Sequence, residues 1–162
     1  MEKIKEKTNA IRALEQKKIP FIFHEYSSDG AISGVEVAAA LGEPVEKVFK
    51  TLVTVGKSNA HYVFVIPAAR ELDLKKAAKA AGEKNVEMVK SKELLPLTGY
   101  IHGGCSPVGM KKLFPTFVDQ SAEDEETIIV SGGKIGFQVE IKPSDLKKIV
   151  PFSFSSLTVS GS

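Results

Sequence analysis

The sequence has very few of the residues that build disulfide or metal frameworks. Its one cysteine, Cys105, excludes an internal disulfide and any metal cluster made of several cysteines. The three histidines, His24, His61 and His102, lack the spacing of metal ligands, and each is interpreted as an ordinary strand or loop residue. We therefore predict a protein that uses neither a metal nor another cofactor.

Long apolar segments are also missing. No run approaches the roughly 20 apolar residues that a membrane helix needs. The N-terminal residues MEKIKEKTNAIRALEQ contain no apolar stretch of the kind found in secretory signals. These absences predict a cytoplasmic protein with no membrane partner.

The chain lacks an excess of either charge. Its 22 basic and 20 acidic residues leave a net charge of only +2. That balance argues against a protein that binds duplex nucleic acid along its length, because such binding neutralises many phosphates. Local contact with one end of an RNA is compatible with it. The length of 162 residues fits one domain, which we predict to cover residues 1–162.

Helix signals cluster in the first half of the chain. Thr8, Ser33 and Asp73 stand where a polar side chain can cap a helix, and Ser33 has the spacing of a capping box with Glu36. The predicted helices are 9–18, 34–40, 43–49, 74–81, a turn from Ser91 that ends by Pro96, and 143–150 with Ser144 at its cap.

Strand signals follow one another along the chain. The β-branched runs KTLVTVG and HYVFVIP flank a Ser58–Asn59 turn and predict a central hairpin. ETIIVSGGKIGFQVEI predicts a second pair of strands around a glycine-rich turn, and the other predicted strands are PFIFHEY, NVEMV and TFVDQ. Because helices and strands do not alternate regularly, we predict the α+β class, with a mixed sheet that is curled or closed into a barrel and surrounded by helices.

Three segments carry residues that a structural core does not require. In Phe49-Lys50-Thr51-Leu52-Val53, a lysine opens an apolar strand, and such a lysine either faces an anion or cavity or extends to solvent. In Gly103-Gly104-Cys105-Ser106-Pro107, adjacent glycines let amide groups converge on an oxygen atom or form a plain turn. Ser131-Gly132-Gly133-Lys134-Ile135-Gly136 lacks the spacing of a P-loop, and by itself it indicates a hairpin turn.

Taken together and in this order, the motifs give the chain a family resemblance. With IPFIFHEY and DLKKAAKAAG, the motifs FKTLV, TGYIHGGCSPVGMKK and VSGGKIG make it resemble the YbaK/EbsC family of aminoacyl-tRNA deacylases, from about residue 8 to residue 150. The branch that hydrolyses Cys-tRNA(Pro) is the more similar one. The resemblance implies a closed or nearly closed mixed barrel ringed by helices, related to the editing domain of bacterial prolyl-tRNA synthetase. It also implies misacylated tRNA as the substrate and prolyl-tRNA synthetase as a further partner.

The resemblance implies the site residues as well. Lys50 matches the family lysine of central function, which is implied to hold the substrate by charge while the glycine-rich loops hold the ester carbonyl and the terminal adenosine. The implied nucleophile is the thiol of the substrate itself. The other pocket residues implied by the motifs and their neighbours are Tyr26, Ser33, Thr51, Gly103, Gly104, Ser106, Ser131, Gly132, Gly133 and Gln138.

Two of these positions depart from the family pattern. Ser33 stands where the family often has an aromatic residue, and Gln138 stands where it often has an acidic one. These departures leave open a deacylase for another small amino acid, such as alanine or serine, and a binding module without catalysis. A cysteine hydrolase that uses Cys105 and His102 and an adaptor for prolyl-tRNA synthetase are two further alternatives.

Overall fold

The computed structural model of the protein describes residues 6–26 and 33–160. The predicted domain bounds, 1–162, extend beyond these ranges at both ends. No described helix is long and apolar enough to cross a bilayer. The described helices are α1 (Asn9–Gln16), α2 (Gly34–Leu41), α3 (Leu74–Ala81), α4 (Ser91–Thr98) and α5 (Pro143–Ile149), with short 3-10 helices at Val45–Lys47 and Gln120–Asp124. The described strands are β1 (Ile22–Glu25), β2 (Phe49–Gly56), β3 (His61–Pro67), β4 (Val86–Met88), β5 (Thr116–Asp119), β6 (Ile128–Ser131), β7 (Phe137–Ile141) and β8 (Phe152–Ser155).

The strands form two sheets, which confirm the α+β class. The smaller sheet has the order β1-β7-β6 and is antiparallel throughout. The larger sheet has the order β4-β2-β3-β5-β8 and is mixed, because β5 runs parallel to both of its neighbours. One isolated parallel bridge, Val48 to Ile129, connects the two sheets near the start of β2. The described strands form no closed barrel, because the pairing between the sheets does not continue beyond that bridge.

The larger sheet is covered on both faces. Successive side chains of a strand point to opposite faces. Val53, Val63 and Val65 therefore face the main core, where α1 and the smaller sheet pack against them. Phe64 and Ile66 face the other way and pack against α3. Helix α2 covers the outer face of the smaller sheet, so the layers run α3, larger sheet, main core, smaller sheet, α2.

The predicted helix starts are confirmed where local capping chemistry determines them. The side-chain oxygens of Thr8, Ser33 and Asp73 accept hydrogen bonds from backbone N–H groups in the first turns of α1, α2 and α3. Gly42 and Gly82 end α2 and α3 with positive φ angles of 68° and 74°. These positions suit glycine because the left-handed conformation brings no steric penalty without a Cβ.

Two proline-linked predictions were wrong. The helix expected to end by Pro96 continues to Thr98, because a proline removes only one hydrogen bond and buried Leu94 and Thr98 anchor the turn. Helix α5 is preceded by Lys142 rather than capped by Ser144. Proline has a fixed φ suited to the first helical position, so the helix already begins at Pro143.

Two other elements differ from the prediction. The helix expected over 43–49 is only a 3-10 turn, because Phe49 already belongs to β2. Strand β8 was not predicted. It pairs in parallel with β5 at the edge of the larger sheet, and the alternation of Phe152 and Phe154 with serines was its signal in the sequence.

The position of α2 depends on a glycine at residue 34, because there is no room for a Cβ atom there. A Cβ at this residue would overlap the Cβ of Ala68, which lies just after β3. The N–H of Ala68 donates to the carbonyl of Val48 at 2.8 Å, so this contact also fixes where β2 begins. The first turn of α2 is thereby held directly against the start of β2.

We predict that Gly34→Ala lowers the free energy of unfolding by about 1–3 kcal/mol through overpacking. Glycine in a helix is otherwise less favourable than alanine, so a change in this direction identifies the steric contact. Chemical denaturation of Gly34→Ala, Ala68→Gly and the double variant measures it. The double variant should recover most of the loss, and additive effects of the two substitutions would contradict the contact.

Candidate active site

A cavity of about 410 Å³ opens where β2 begins, between α2, the smaller sheet and the glycine-rich segment after α4. Seven of the eleven site residues predicted from the sequence line it. They are Tyr26, Ser33, Lys50, Thr51, Gly103, Ser131 and Gln138. Residues from six separate parts of the chain therefore meet at one place.

The edge of β2 is open at this cavity. Strand β4 pairs with β2 only from Thr54 to Gly56, and β6 meets the chain only at Val48. The carbonyl of Val53 accepts the N–H of Val89 at 3.1 Å, so the backbone groups of Val53 point away from β3. Because these groups alternate in direction along a strand, the N–H and C=O of Thr51 point the same way, into the gap.

Lys50 lies on this open stretch and is partly buried. Burial lowers the pKa of its ammonium group, and the charge of Glu71 offsets part of that effect. Within residues 6–26 and 33–160, no carboxylate lies within ion-pair distance of Lys50. A partly desolvated cation without a fixed partner favours an anionic group in the cavity.

Two further polar side chains at the cavity lack partners among the described residues. The hydroxyl of Thr51 is buried and makes no hydrogen bond there. Gln138 is only 6% exposed, and its carboxamide makes no hydrogen bond within the described ranges. The Thr51 hydroxyl is completely removed from solvent, so its missing hydrogen bond carries a free-energy cost, which a bound polar molecule can remove.

The two glycine-rich segments pack against each other beside the cavity. Gly103 has a φ of 88°, and a Cβ on Gly104 would lie 3.1 Å from the backbone nitrogen of Ile135. Ser131 accepts a hydrogen bond from the N–H of Gly133 at 3.1 Å, which fixes the hydroxyl at the cavity wall. The close approach of the segments places Gly103 and Ser131 at the same cavity.

Four predicted site residues do not line the cavity. Ser106 is fully buried, and its hydroxyl accepts the N–H of Val108 at 3.2 Å. Gly132 accepts a hydrogen bond from the Thr8 hydroxyl, Gly133 adopts a φ of 99°, and Gly104 makes the close packing contact. These four residues shape the segments that carry the lining residues.

Cys105 and His102, the pair behind the cysteine-hydrolase alternative, both line the cavity. Cys105 is 7% exposed, and burial raises the pKa of its thiol to about 12, although a hydrogen bond with Thr98 opposes the shift. The nucleophilic form of cysteine is the thiolate. At neutral pH this thiol is protonated almost completely, so the site does not activate it.

The remaining lining residues were missed by the sequence reasoning. They are mostly apolar or small: Gly34, Val37, Val48, Phe49, Leu52, Ala68 and Leu94. Apolar residues at such positions look like ordinary core residues, and only the tertiary fold exposes them to a cavity. The one local signal was the position of Val48, Phe49 and Leu52 next to Lys50.

A partly buried ionic cluster supports the wall that carries Gln138. Glu140, two residues further along β7, accepts hydrogen bonds from His24 at 2.8 Å, Lys47 at 2.9 Å and the Thr127 hydroxyl. Burial raises the pKa of Glu140, but these hydrogen bonds and the charge of Lys47 outweigh it and lower the pKa to about 2. The cluster links the 3-10 helix before β2 to β1, β6 and β7.

Comparison with known proteins gives consistent matches over nearly the whole chain. The family model of the aminoacyl-tRNA editing domain matches residues 31–149. A relative from Enterococcus faecalis (strain ATCC 700802 / V583), named "Putative Cys-tRNA(Pro)/Cys-tRNA(Cys) deacylase EbsC", is 47% identical over 157 residues, which cover 96% of this chain and 96% of the relative.

Solved structures agree with this match. A crystal structure described as a "putative trans-editing enzyme for prolyl tRNA synthetase" is 25% identical, with a TM-score of 0.85, and the alignment covers 94% of this chain and 96% of that chain. The crystal structure of the hypothetical protein APE2540 is 21% identical, with a TM-score of 0.83, over 94% of this chain and 100% of that chain. The second likeness shows the shared fold alone.

The Glu140 cluster generates a prediction about pH. Because the folded pKa of about 2 lies below the ordinary 4.5, ionised Glu140 stabilises the fold above about pH 4.5, and this stabilisation is lost as the pH falls toward 2. We expect Glu140→Gln to lower the free energy of unfolding at pH 6 by about 1–3 kcal/mol. The variant should also lose less stability than the wild type between pH 5 and pH 3.

Denaturant titrations across this pH range measure the effect. Glu87→Gln is the matched control, since Glu87 is an exposed carboxylate without an ion pair in the described part of the chain. Equal pH slopes for Glu140→Gln and the wild type would show that the cluster contributes nothing to folding.

Proposed function

Because this chain belongs to the aminoacyl-tRNA editing domain family, we propose that it is a trans-editing deacylase, which hydrolyses the ester between a wrong amino acid and its tRNA. The proposed substrate is Cys-tRNA(Pro). The name of the relative that is 47% identical over almost its full length supports that substrate. Prolyl-tRNA synthetase is the proposed partner, supported by the description of the structural relative with a TM-score of 0.85.

The observation that carries the proposal is the set of unpaired polar groups in the cavity. The hydroxyl of Thr51 is buried without a partner among the described residues, the ammonium group of Lys50 has no ion-pair partner there, and the carboxamide of Gln138 lines the same cavity. Each is partly or fully removed from water, so each favours a ligand that supplies a charge or a hydrogen bond. The 3′ end of an aminoacyl-tRNA supplies phosphate, ribose hydroxyl, ester and amine groups in one small volume.

We assign to Lys50, at the start of β2, the role of holding the substrate by its positive charge. Gly103 and Ser131 hold the ester carbonyl and the terminal adenosine from the glycine-rich segments, and Tyr26, Ser33, Thr51 and Gln138 complete the binding surface. Four further residues do not line the cavity but determine the shape of those segments: Gly104, Ser106, Gly132 and Gly133. A site with its supporting contacts already formed can orient the substrate at little further entropic cost.

The proposed nucleophile is the thiol of the substrate. Its sulfur attacks the ester carbonyl, a bond forms between sulfur and the carbonyl carbon, and the ester C–O bond breaks. The thiol proton ends on the ribose oxygen that leaves with the tRNA, and water then opens the cyclic thioester to release cysteine. The protein contributes orientation, which can supply a large part of the barrier reduction in such an intramolecular step.

This chemistry solves a selection problem that size alone does not. A hydrophobic pocket discriminates one methylene by only about 1–3 kcal/mol, so a synthetase that accepts proline also accepts smaller residues. The cavity wall near Lys50 includes Val37, Leu52 and Leu94, which surround a small side chain but offer it no reactive group. A reaction that needs the substrate thiol removes cysteine and spares residues of similar size.

We predict that Lys50→Ala lowers the single-turnover rate of deacylation by roughly thirtyfold or more. Losing one partner of a desolvated charge contact costs about 2–5 kcal/mol. Lys57→Ala is the matched control, because Lys57 is exposed just beyond the other end of β2 and does not line the cavity. Near-normal turnover of a folded Lys50→Ala protein would remove Lys50 from the mechanism.

Cys105→Ala provides a second control in the same assay. Its activity should stay close to that of the wild type, because the attacking thiol belongs to the substrate and the Cys105 thiol is protonated. A folded but inactive Cys105→Ala protein would support the cysteine-hydrolase alternative instead.

The substrate-thiol mechanism predicts a specific order of rates. Cys-tRNA(Pro) should be hydrolysed fast, whereas Ala-tRNA(Pro) should be slow although alanine is smaller. Ser-tRNA(Pro) should also be slow, because a neutral hydroxyl is a far poorer nucleophile than a thiol, which is a few per cent thiolate at pH 7. Single-turnover assays with these three substrates and Pro-tRNA(Pro) measure the order.

A pocket that selects by size alone would accept alanine and serine about as well as cysteine. Comparable rates for the three substrates would therefore exclude attack by the substrate thiol. They would identify a deacylase of broader specificity, in which a bound water or a tRNA hydroxyl attacks the ester.

A further inference from the structure

A second depression lies on the protein surface where α1 ends. It has a volume of about 230 Å³ and lies between the C-terminal ends of α1 and α5 and the segment 107–114. We call it the lysine-flanked groove and define it by Lys17, Lys112, Leu113, Phe114, Met110 and Ile149. It shares no residue with the cavity that contains Lys50.

The charge of this groove is one-sided. Lys17 and Lys112 line it, and no aspartate or glutamate does. Neither lysine has an ion-pair partner in the part of the chain that the structure describes, and the neighbouring Lys111 is also exposed and unpaired there. A chain of net charge +2 therefore concentrates uncompensated positive charge at this place, which complements a phosphate backbone.

The apolar side of the groove suits a nucleobase. Leu113 is 70% exposed, and Phe114, which is partly buried and packs against the ring of His61, lines the groove next to it. Proteins that bind single-stranded nucleic acid combine such stacking surfaces with basic side chains along the backbone. A water occupies about 30 Å³ in the liquid, so 230 Å³ has room for about as many heavy atoms as a pyrimidine contains.

The groove and the cavity are close along the chain. Cys105 lines the cavity and Pro107 lines the groove, with only Ser106 between them. Two residue steps span at most about 7 Å. Residues 104–108 are buried, so a strand whose last nucleotide occupies the cavity reaches the groove around this segment and not across it.

We propose that the lysine-flanked groove binds the single-stranded nucleotides that precede the terminal adenosine of the tRNA. Lys17 and Lys112 contact phosphates, and a base lies against Leu113 and Phe114. This inference rests on the proposed function for its choice of RNA, but it concerns a surface that lies outside the cavity.

The test measures binding of an RNA hairpin with a single-stranded ACCA 3′ end that carries no amino acid. Fluorescence anisotropy at several salt concentrations compares Lys17→Gln/Lys112→Gln with Lys75→Gln/Lys79→Gln, a control with the same change in charge. Lys75 and Lys79 are exposed on α3, on the opposite face of the larger sheet. Two lost contacts to a single strand should reduce the slope of log K against log salt by about 1.4, which corresponds to roughly tenfold weaker binding or more at 0.1 M salt.

Leu113→Ser separates stacking from charge. This variant should weaken binding severalfold and leave the salt slope unchanged. All variants should bind a hairpin that lacks the single-stranded end with the same affinity as the wild type. Groove variants that behave like the α3 control overturn the proposal, and so do variants that bind the RNA normally but no longer bind prolyl-tRNA synthetase.

The same measurements separate this inference from the proposed function. Binding of uncharged RNA requires no hydrolysis, so lysine-dependent binding by a protein without deacylase activity would overturn only the proposed function. Lys50-dependent deacylation with full RNA binding by Lys17→Gln/Lys112→Gln would overturn only the groove.

Discussion

The single bridge between Val48 and Ile129 is the constraint on which the candidate site depends. It brings the two sheets together at the first residues of β2, while β4 covers the same strand only from Thr54 onward. The stretch between these contacts has no neighbouring strand on that side in the described part of the chain. A gap in a sheet is normally a weakness, because it leaves backbone groups unpaired. Here the gap is enclosed by α2 and the glycine-rich segments, and it becomes a cavity with a lysine at its edge.

The contacts around the cavity hold its walls without help from a ligand. The start of α1 fixes both glycine-rich segments, since Thr8 contacts Gly132 and Gly133, and Gly109 packs against Asn9. The hydroxyl of Tyr100 donates to the carbonyl of Val108 at 2.6 Å and is buried. On the other side, the Glu140 cluster fixes β7 to the segment before β2. Such supporting contacts keep functional groups in place better than flexible loops do.

The sequence predicted those features that depend on local chemistry. Helix starts at Thr8, Ser33 and Asp73 follow from the reach of one side chain to the next turn, and the hairpin of β2 and β3 follows from two β-branched runs. Features decided by distant contacts were missed. Strand β8 exists because β5 offers it a parallel edge, and the helix of Pro96 survives because the core holds Leu94 and Thr98. In the site, the motifs identified lining residues such as Lys50 and Ser131. Ala68 and Leu94 also line the cavity, but only the packing of the folded chain brings them there.

The buried thiol of Cys105 has one more consequence. Exchange between a thiol and a disulfide requires attack by a thiolate, and burial holds this group in its protonated form. A cavity that binds the cysteine ester proposed as the substrate is also open to free cysteine and cystine. An ionised cysteine on its wall would attack a sulfur of cystine, form a mixed disulfide and release cysteine, and the adduct would block the site. The protonated thiol of Cys105 instead reacts poorly with cystine.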